Sequence, residues 1–169
     1  CEETGANIKE VAQAIGMDTR IGNKFLSAGP GFGGSCFKKD ILNLVYLCNH
    51  FNLPEVARYW QNVIEINEWQ NQRVSKVIVN KLFGTISEKR IAILGFSFKA
   101  NTNDTRESPA IGICRDLIEE GSSLAIYDPR VEVKQIKQCL ENMKDISDVN
   151  KSANWHLAES VIEAVTGAD

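Results

Sequence analysis

Apolar positions in the first half of the chain recur at helical spacing, whereas those after Gly84 gather into short strand-like runs. Ile8, Val11, Ala12 and Ile15 share one side of a helix expected over 4–16, with Gly16 as its C-cap candidate. A glycine-rich loop from Ser27 to Ser35 follows. Asp40 then opens a helix with Ile41, Leu44, Val45 and Cys48 on one side. Pro54 suits the first turn of another helix, where its missing N–H is not needed. No Gly or Pro interrupts 54–83, and Gly84 offers a stop. At 1.5 Å per residue that segment reaches ~45 Å, enough to join two domains or to pack against its copy in a dimer.

Residues 90–98 begin as an apolar run of buried-strand type, with Lys99 at its mouth. A polar loop, Ala100 to Ser108, leads into a helix starting at Pro109 and capped by Gly121. Ser123–Tyr127 reads as a second strand ending at Asp128-Pro129, and helix-like stretches follow at 132–143 and 157–166. Strand, helix, strand at this spacing is a βαβ unit, hence a parallel sheet with a right-handed crossover. Two strands fall short of the roughly five or six in a doubly wound sheet. The expected class is therefore α/β with a largely helical first half. A helical domain over 1–84 precedes an incomplete Rossmann-like domain over 85–169. The chain opens on Cys1 and stops just after a helix-like segment, so the reading is a piece of a longer protein.

Composition narrows the function classes. Of 169 residues, 43% are hydrophobic and 24% charged, which suits a buried core and excludes disorder. With 19 basic against 22 acidic residues the net charge is −3, so neither nucleic acid nor an anionic membrane is an expected partner. The apolar runs are too short to span a bilayer, and the opening residues have no signal-peptide pattern. The five cysteines are odd in number and widely spaced, with no CxxC. Neither a disulfide framework nor a metal site is expected, and a reducing compartment, the cytoplasm, is. Cys48, Cys114 and Cys139 fall in apolar periodic stretches and read as small buried hydrophobes.

Cys36 differs. Gly29-Pro30-Gly31-Phe32-Gly33-Gly34-Ser35-Cys36 delivers a thiol directly before a helix, followed by Lys38, Lys39 and Asp40. Glycines let backbone approach a ligand closely. A helix N-terminus and nearby cations favour the thiolate, the nucleophilic form. Asp40 opposes a second anion and suits positioning a proton donor or water, or capping the helix. A bare glycine-rich loop would read equally as a plain inter-helix turn, but this one is not bare; spacing alone makes Cys36 a candidate and no more. His50 and His156, both in helical contexts, read as structural. Gly95 stands alone where a dinucleotide fingerprint has three glycines. Asp128 thus reads as an Asp-Pro turn rather than a ribose-binding acid. A second polar group, Phe98-Lys99 with Asn103 to Ser108, sits at the carboxyl end of the first strand, where open α/β sheets bind ligands. Arg106 and Lys99 suit phosphate oxygens; the plainer reading is a solvated loop with local Asp–Arg pairing.

The stretches GFGGSCFKKD, ILNLVYLC, NLPEVARYWQ and ILGFSFKANTNDTRESPAI together resemble the UDP-glucose 6-dehydrogenases of animals and plants, from about Cys1 to Pro129. The resemblance implies NAD as cofactor, UDP-glucose as substrate, and a homodimer or higher homo-oligomer through the helical domain. It implies Cys36 as the catalytic thiol, assisted by Asp40, and Arg20 as an arginine reaching the sugar of a neighbouring subunit. Ser27, Ala28, Gly29, Pro30, Gly31, Phe32 and Gly33 fall on the substrate loop. Ser27 stands where animal enzymes carry a Lys, and Gly29-Pro30 replaces a small polar–apolar pair. Phe98 and Lys99 match nucleotide-sugar contacts. Cys36, Phe37, Lys38 and Lys39 fall in a cofactor-contacting stretch, and Arg106 matches a residue near the NAD phosphates. The remaining catalytic residues of that family match nothing in this chain. A sister GDP-mannose or UDP-N-acetylhexosamine dehydrogenase, and a non-catalytic nucleotide-sugar-binding or dimerisation module, stay open as alternatives.

Overall fold

The computed structural model describes residues 1–141 and 154–169, in two compact units, Cys1–Pro30 and Gly31–Asp169. In the first unit a 3-10 turn, Glu2–Thr4, precedes α1 (Ile8–Gly16). Gly5, at φ 69°, separates them, so the helix expected from residue 4 starts later, where the Asn7 side chain accepts the Lys9 N–H at 3.0 Å. Gly16 is not the cap. It is the last helical residue, Met17 is the C-cap, and a Cβ on Gly16 would lie 3.0 Å from Asn23 Cα.

The second unit begins with α2 (Phe37–His50) and α3 (Pro54–Lys81). Cys36 is the N-cap of α2, so Asp40 lies inside the first turn rather than opening or capping the helix. The 28 residues of α3 span about 42 Å. It ends as expected near Gly84, whose N–H, at φ 86°, donates to Val79 O at 2.9 Å.

Three strands, β1 (Arg90–Leu94), β2 (Ser123–Tyr127) and β3 (Trp155–Leu157), form a parallel sheet in the order β1-β2-β3. The third strand is a correction. It places Leu157, the first residue of the helix expected over 157–166, on a strand together with His156, which was expected in a helical context, and α6 covers only Val161–Val165. Three residues are too few to show a period of two. Between the strands run α4 (Pro109–Glu119), capped by Ser108, and α5 (Val133–Glu141). The last two positions of the helix expected over 132–143 lie outside the described residues.

Strand alternation explains the layering. Ile91, Leu124 and Ile126 meet Ile113, Leu117, Ile136 and Leu140 from α4 and α5, with Val74, Ile78, Val79 and Leu82 of α3 packed against this core. Each such large side chain fully buried is worth about 1.5–3 kcal/mol. The opposite face is built of Ala92, Ala125 and Tyr127, against Ala158 and Ala164 of the segment carrying α6. No helix among the described residues is long and apolar enough to cross a membrane.

Candidate active site

The loop leaving β1 is anchored first. Asp128, 8% exposed at the end of β2, accepts the N–H groups of Phe96 at 2.8 Å and Ser97 at 3.1 Å through Oδ2. Its Oδ1 accepts those of Arg130 at 2.8 Å and Val131 at 3.0 Å. Burial alone would raise this carboxyl's pKa; the four backbone donors outweigh it and hold the group below the ordinary carboxylate value. Asp128 is thus the expected Asp-Pro turn and also a clamp on the β1 exit, with both oxygens engaged. Ser108 closes the far end of the loop: its Oγ donates to Phe96 O at 2.7 Å while the same residue caps α4.

The glycine-rich loop rests on this platform. Gly34 N–H donates to Arg106 O at 2.9 Å. A Cβ on Gly33 would overlap the Glu107 carbonyl oxygen, and one on Gly34, at φ 90°, would lie 2.9 Å from the Phe98 ring. Phe32 is held from the other side by Asn67 of α3, which accepts its N–H at 2.7 Å and donates to its carbonyl at 3.2 Å. The Phe32 and Phe37 rings meet edge to face, 4.6 Å apart. Two motifs distant in sequence, the GFGGSC loop and the Phe98–Ser108 loop, are therefore one structure.

Its apex is Cys36, an exposed free thiol at the N-terminus of α2, with Sγ 3.6 Å from Ser35 Oγ. The helix dipole there favours an anion. Asp40 is one turn on; its N–H donates to Cys36 O at 2.8 Å, and its exposed carboxylate has no hydrogen bond or ion pair among the described residues. Arg106 forks onto Asp104, at 2.9 Å and 2.6 Å, so the local pairing expected of this loop forms. The pair holds the Asp104 carboxyl at about 2, through the Arg106 side-chain and backbone hydrogen bonds. Arg106 is raised in turn, chiefly by its hydrogen bonds to Asp104 and by that residue's charge, with Cys36 the smallest contributor. Lys38 bridges Glu68 at 3.4 Å and Glu107 at 3.5 Å, Lys39 is exposed, and Lys99 Nζ lies 5.0 Å from the centre of the Phe98 ring.

The other expected residues belong to the first unit. Arg20 forks onto Asp18, at 3.0 Å and 2.6 Å, with its side chain 87% exposed. Ser27 and Ala28 line a cavity of about 380 Å³ with Ile8, Ala12 and Leu26. Gly29 and Pro30 are exposed. Asn67 was not anticipated, nor was the pairing of Glu107, a member of the expected polar loop, with Lys38 distant in sequence. Of the histidines, His50 lies against Tyr46 and Phe51, and His156 of β3 has Nε2 3.4 Å from the Arg90 guanidinium of β1, neither near Cys36 in sequence or bonding.

The donor set decides how NAD fits. Exposed Lys39, the guanidinium of Arg106 and the first turn of α2 suit its phosphate oxygens. The βαβ unit does not suit its ribose, because Asp128 is fully engaged by backbone. These groups offer donors for anionic oxygens near the start of α2, with the Arg106 guanidinium shared with Asp104, and do not make up a complete dinucleotide site.

Comparison with known proteins finds similarity along most of the chain. The model of the UDP-glucose/GDP-mannose dehydrogenase family, central domain, matches residues 1–69, and that of the same family's UDP binding domain matches 92–169. The UDP-glucose 6-dehydrogenase of Drosophila melanogaster is 63% identical over 136 residues, 80% of this chain and 29% of that protein. That of Bos taurus is 62% identical over 168 residues, 99% of this chain and 34% of that protein. A solved UDP-glucose dehydrogenase from the archaeon Pyrobaculum islandicum superposes with a TM-score of 0.82 at 26% identity, over 98% of this chain and 35% of that one. The chain spans about a third of the length of the curated relatives it matches.

Proposed function

Because the chain belongs to the UDP-glucose/GDP-mannose dehydrogenase family, we propose that it carries the thiol-bearing part of an NAD-dependent enzyme that oxidises UDP-glucose to UDP-glucuronate. The observation that carries this reading is Cys36, exposed at the start of α2 on a glycine loop seated against Phe98, Arg106 and Glu107. The division into a helical domain over 1–84 and a UDP-sugar-binding domain over 85–169 belongs to the same proposal, supported by family matches on either side of 70–91.

NAD, when bound, supplies the acceptor for the two hydrides that a four-electron oxidation at carbon 6 releases. The chain's own residues hold the carbon between the two oxidations. The Cys36 thiolate attacks the aldehyde carbon, a C–S bond forms, and the carbonyl electron pair moves onto oxygen, which takes up a proton to give the thiohemiacetal. At the thioester stage water adds to the same carbon, the C–S bond breaks, and the sulfur leaves as thiolate with the carboxylate as product. Asp40, one turn along α2, is suited to take the proton of that water. Covalent capture keeps the aldehyde from escaping. Phe98, Lys99 and the loop through Gly33 are the nucleotide-sugar contacts, with Lys39 and Arg106 toward the cofactor phosphates and Arg20 toward the sugar of a neighbouring subunit.

We read the protein as cytoplasmic, supported by its free cysteines, and as a homo-oligomer. For the latter the support is the exposed Tyr46, Phe51, Tyr59, Ile66 and Trp69 on or beside α2 and α3. The test is Cys36→Ser in the full-length protein, with UDP-glucose and GDP-mannose compared as substrates. Wild type is expected to form UDP-glucuronate with two NAD reduced per sugar and the variant to form none. Undiminished acid formation by the variant would sink the role of Cys36, and preference for GDP-mannose would move the substrate to the sister class.

A further inference from the structure

The glycine loop reaches Cys36 from a backbone that is free to adopt many shapes, yet one side chain fixes its first turn. We propose that Asn67 is the positioning residue of the Cys36 loop, setting the direction from which the thiol is presented. Its carboxamide pairs with both polar atoms of a single residue, accepting the Phe32 N–H at 2.7 Å and donating to the Phe32 carbonyl at 3.2 Å. This is the pair of hydrogen bonds that two residues exchange in an antiparallel sheet, made here by a side chain. The Asn carboxamide supplies a donor and an acceptor on separate atoms, the arrangement needed to meet a backbone N–H and C=O at once. Only one orientation of the amide satisfies both.

The surroundings are shaped to this pairing. A Cβ on Gly31, at φ 142°, would lie 2.7 Å from Asn67 Oδ1 and 2.5 Å from Asn71 Oδ1, so a side chain there would displace both carboxamides from a backbone conformation that already favours glycine. Glu68, next to Asn67, pairs with Lys38 two residues beyond the thiol. The far side of the loop is held by Gly34 N–H on Arg106 O. Phe32 is thus tied to a long stiff helix and Gly34 to the Phe98–Ser108 loop, and Cys36 follows two residues later.

The inference rests on the proposed role of Cys36 for its kinetic consequence but not for its structural one, and the experiment separates the two. Wild type, Asn67→Ala and Asn67→Asp are compared in the full-length protein by residue-level hydrogen–deuterium exchange and by turnover of UDP-glucose with NAD. In Asn67→Ala the Phe32 amide is expected to exchange at least tenfold faster while the amides of Leu124 to Ile126 in β2 stay protected, and kcat to fall at least tenfold. Asn67→Asp keeps the shape but turns a second oxygen toward the Phe32 carbonyl. Protonation restores the donor, so the ratio of its kcat to that of wild type is expected to rise as pH falls, a profile that mere loss of stability does not give. A Phe32 amide equally protected in Asn67→Ala overturns the proposal, as does a freed amide with kcat within twofold of wild type. Should the alanine variant not fold, a ratio for Asn67→Asp that is flat with pH overturns it alone. Failure of wild type to oxidise UDP-glucose would instead refute the functional reading, and the exchange results would still decide the clamp.

Discussion

Substituting Gly33 by alanine isolates the contact that joins the thiol loop to the loop after β1. The added Cβ would overlap the Glu107 carbonyl oxygen and lie 3.0 Å from the Glu107 carbonyl carbon and 3.1 Å from Phe98 Cβ, where unstrained carbon pairs sit about 3.5–4.0 Å apart. Neither neighbour can retreat easily. Glu107 already sits at φ 52°, and Ser108 is tied to Thr105 O at 3.1 Å and Phe96 O at 2.7 Å. Overpacking of this kind costs about 1–3 kcal/mol. Gly112 is the control: it lies in α4 of the same unit, its Cβ would meet nothing within 4 Å, and its φ is not positive. There alanine gains about 1 kcal/mol from helix propensity. The same change is therefore expected to act with opposite sign at the two sites, a gap of about 2–4 kcal/mol. Trp60, Trp69 and Trp155 all belong to the unit that holds both glycines, so urea unfolding followed by fluorescence reads it directly. With a slope of about 2 kcal/mol/M, the midpoints should differ by about 1–2 M. Gly33→Ala unfolding at or above the wild-type midpoint would refute the seating of the loop on Glu107.

Two further outcomes follow from the same contacts. Asp128→Asn turns an NH2 group toward two of the four backbone donors and should cost about 2–4 kcal/mol near neutral pH. Because folding depresses this carboxyl, its contribution is complete above about pH 4 and is lost as pH falls through the lower folded value. The gap between variant and wild type should close on acidification, and equal gaps in urea midpoint at pH 7 and pH 3 would contradict the clamp. Cys114 is fully buried and its thiol is pushed up to about 12 by desolvation, so it should resist a thiol reagent at pH 8 while Cys1 and Cys36 react; peptide mass mapping before and after urea distinguishes them.

What was legible in the sequence depended on the range of the interaction that fixed it. The long helix α3 could be read because its signals are local: Pro54 at its first turn, no breaker through Phe83, and Gly84 to end it. Runs of apolar residues disclosed β1 and β2, but Trp155–Leu157 is too short to carry a period and owes its strand conformation to pairing with Leu124, Ala125 and Ile126. Asp128 divides along the same line. Its bonds to Arg130 and Val131 are the local Asp-Pro turn, readable from two residues, whereas those to Phe96 and Ser97 require the chain to have folded. The site shows the division most sharply. A cysteine before a helix, after a run of glycines, states its chemistry in the sequence, and the polar loop after β1 states that it can meet an anion. That the two are one structure rests on a bare backbone at Gly33 fitting under the Glu107 carbonyl and on Asn67, whose spacing to Asn71 resembles the solvated face of any long helix. The proposed nucleophile is thus marked locally, whereas the contacts that seat its loop, Asn67 on Phe32 and Gly34 on Arg106, join groups that no local pattern marks; if they direct the thiol as proposed, substitutions on α3 and in the Phe98–Ser108 loop will alter Cys36 without touching it.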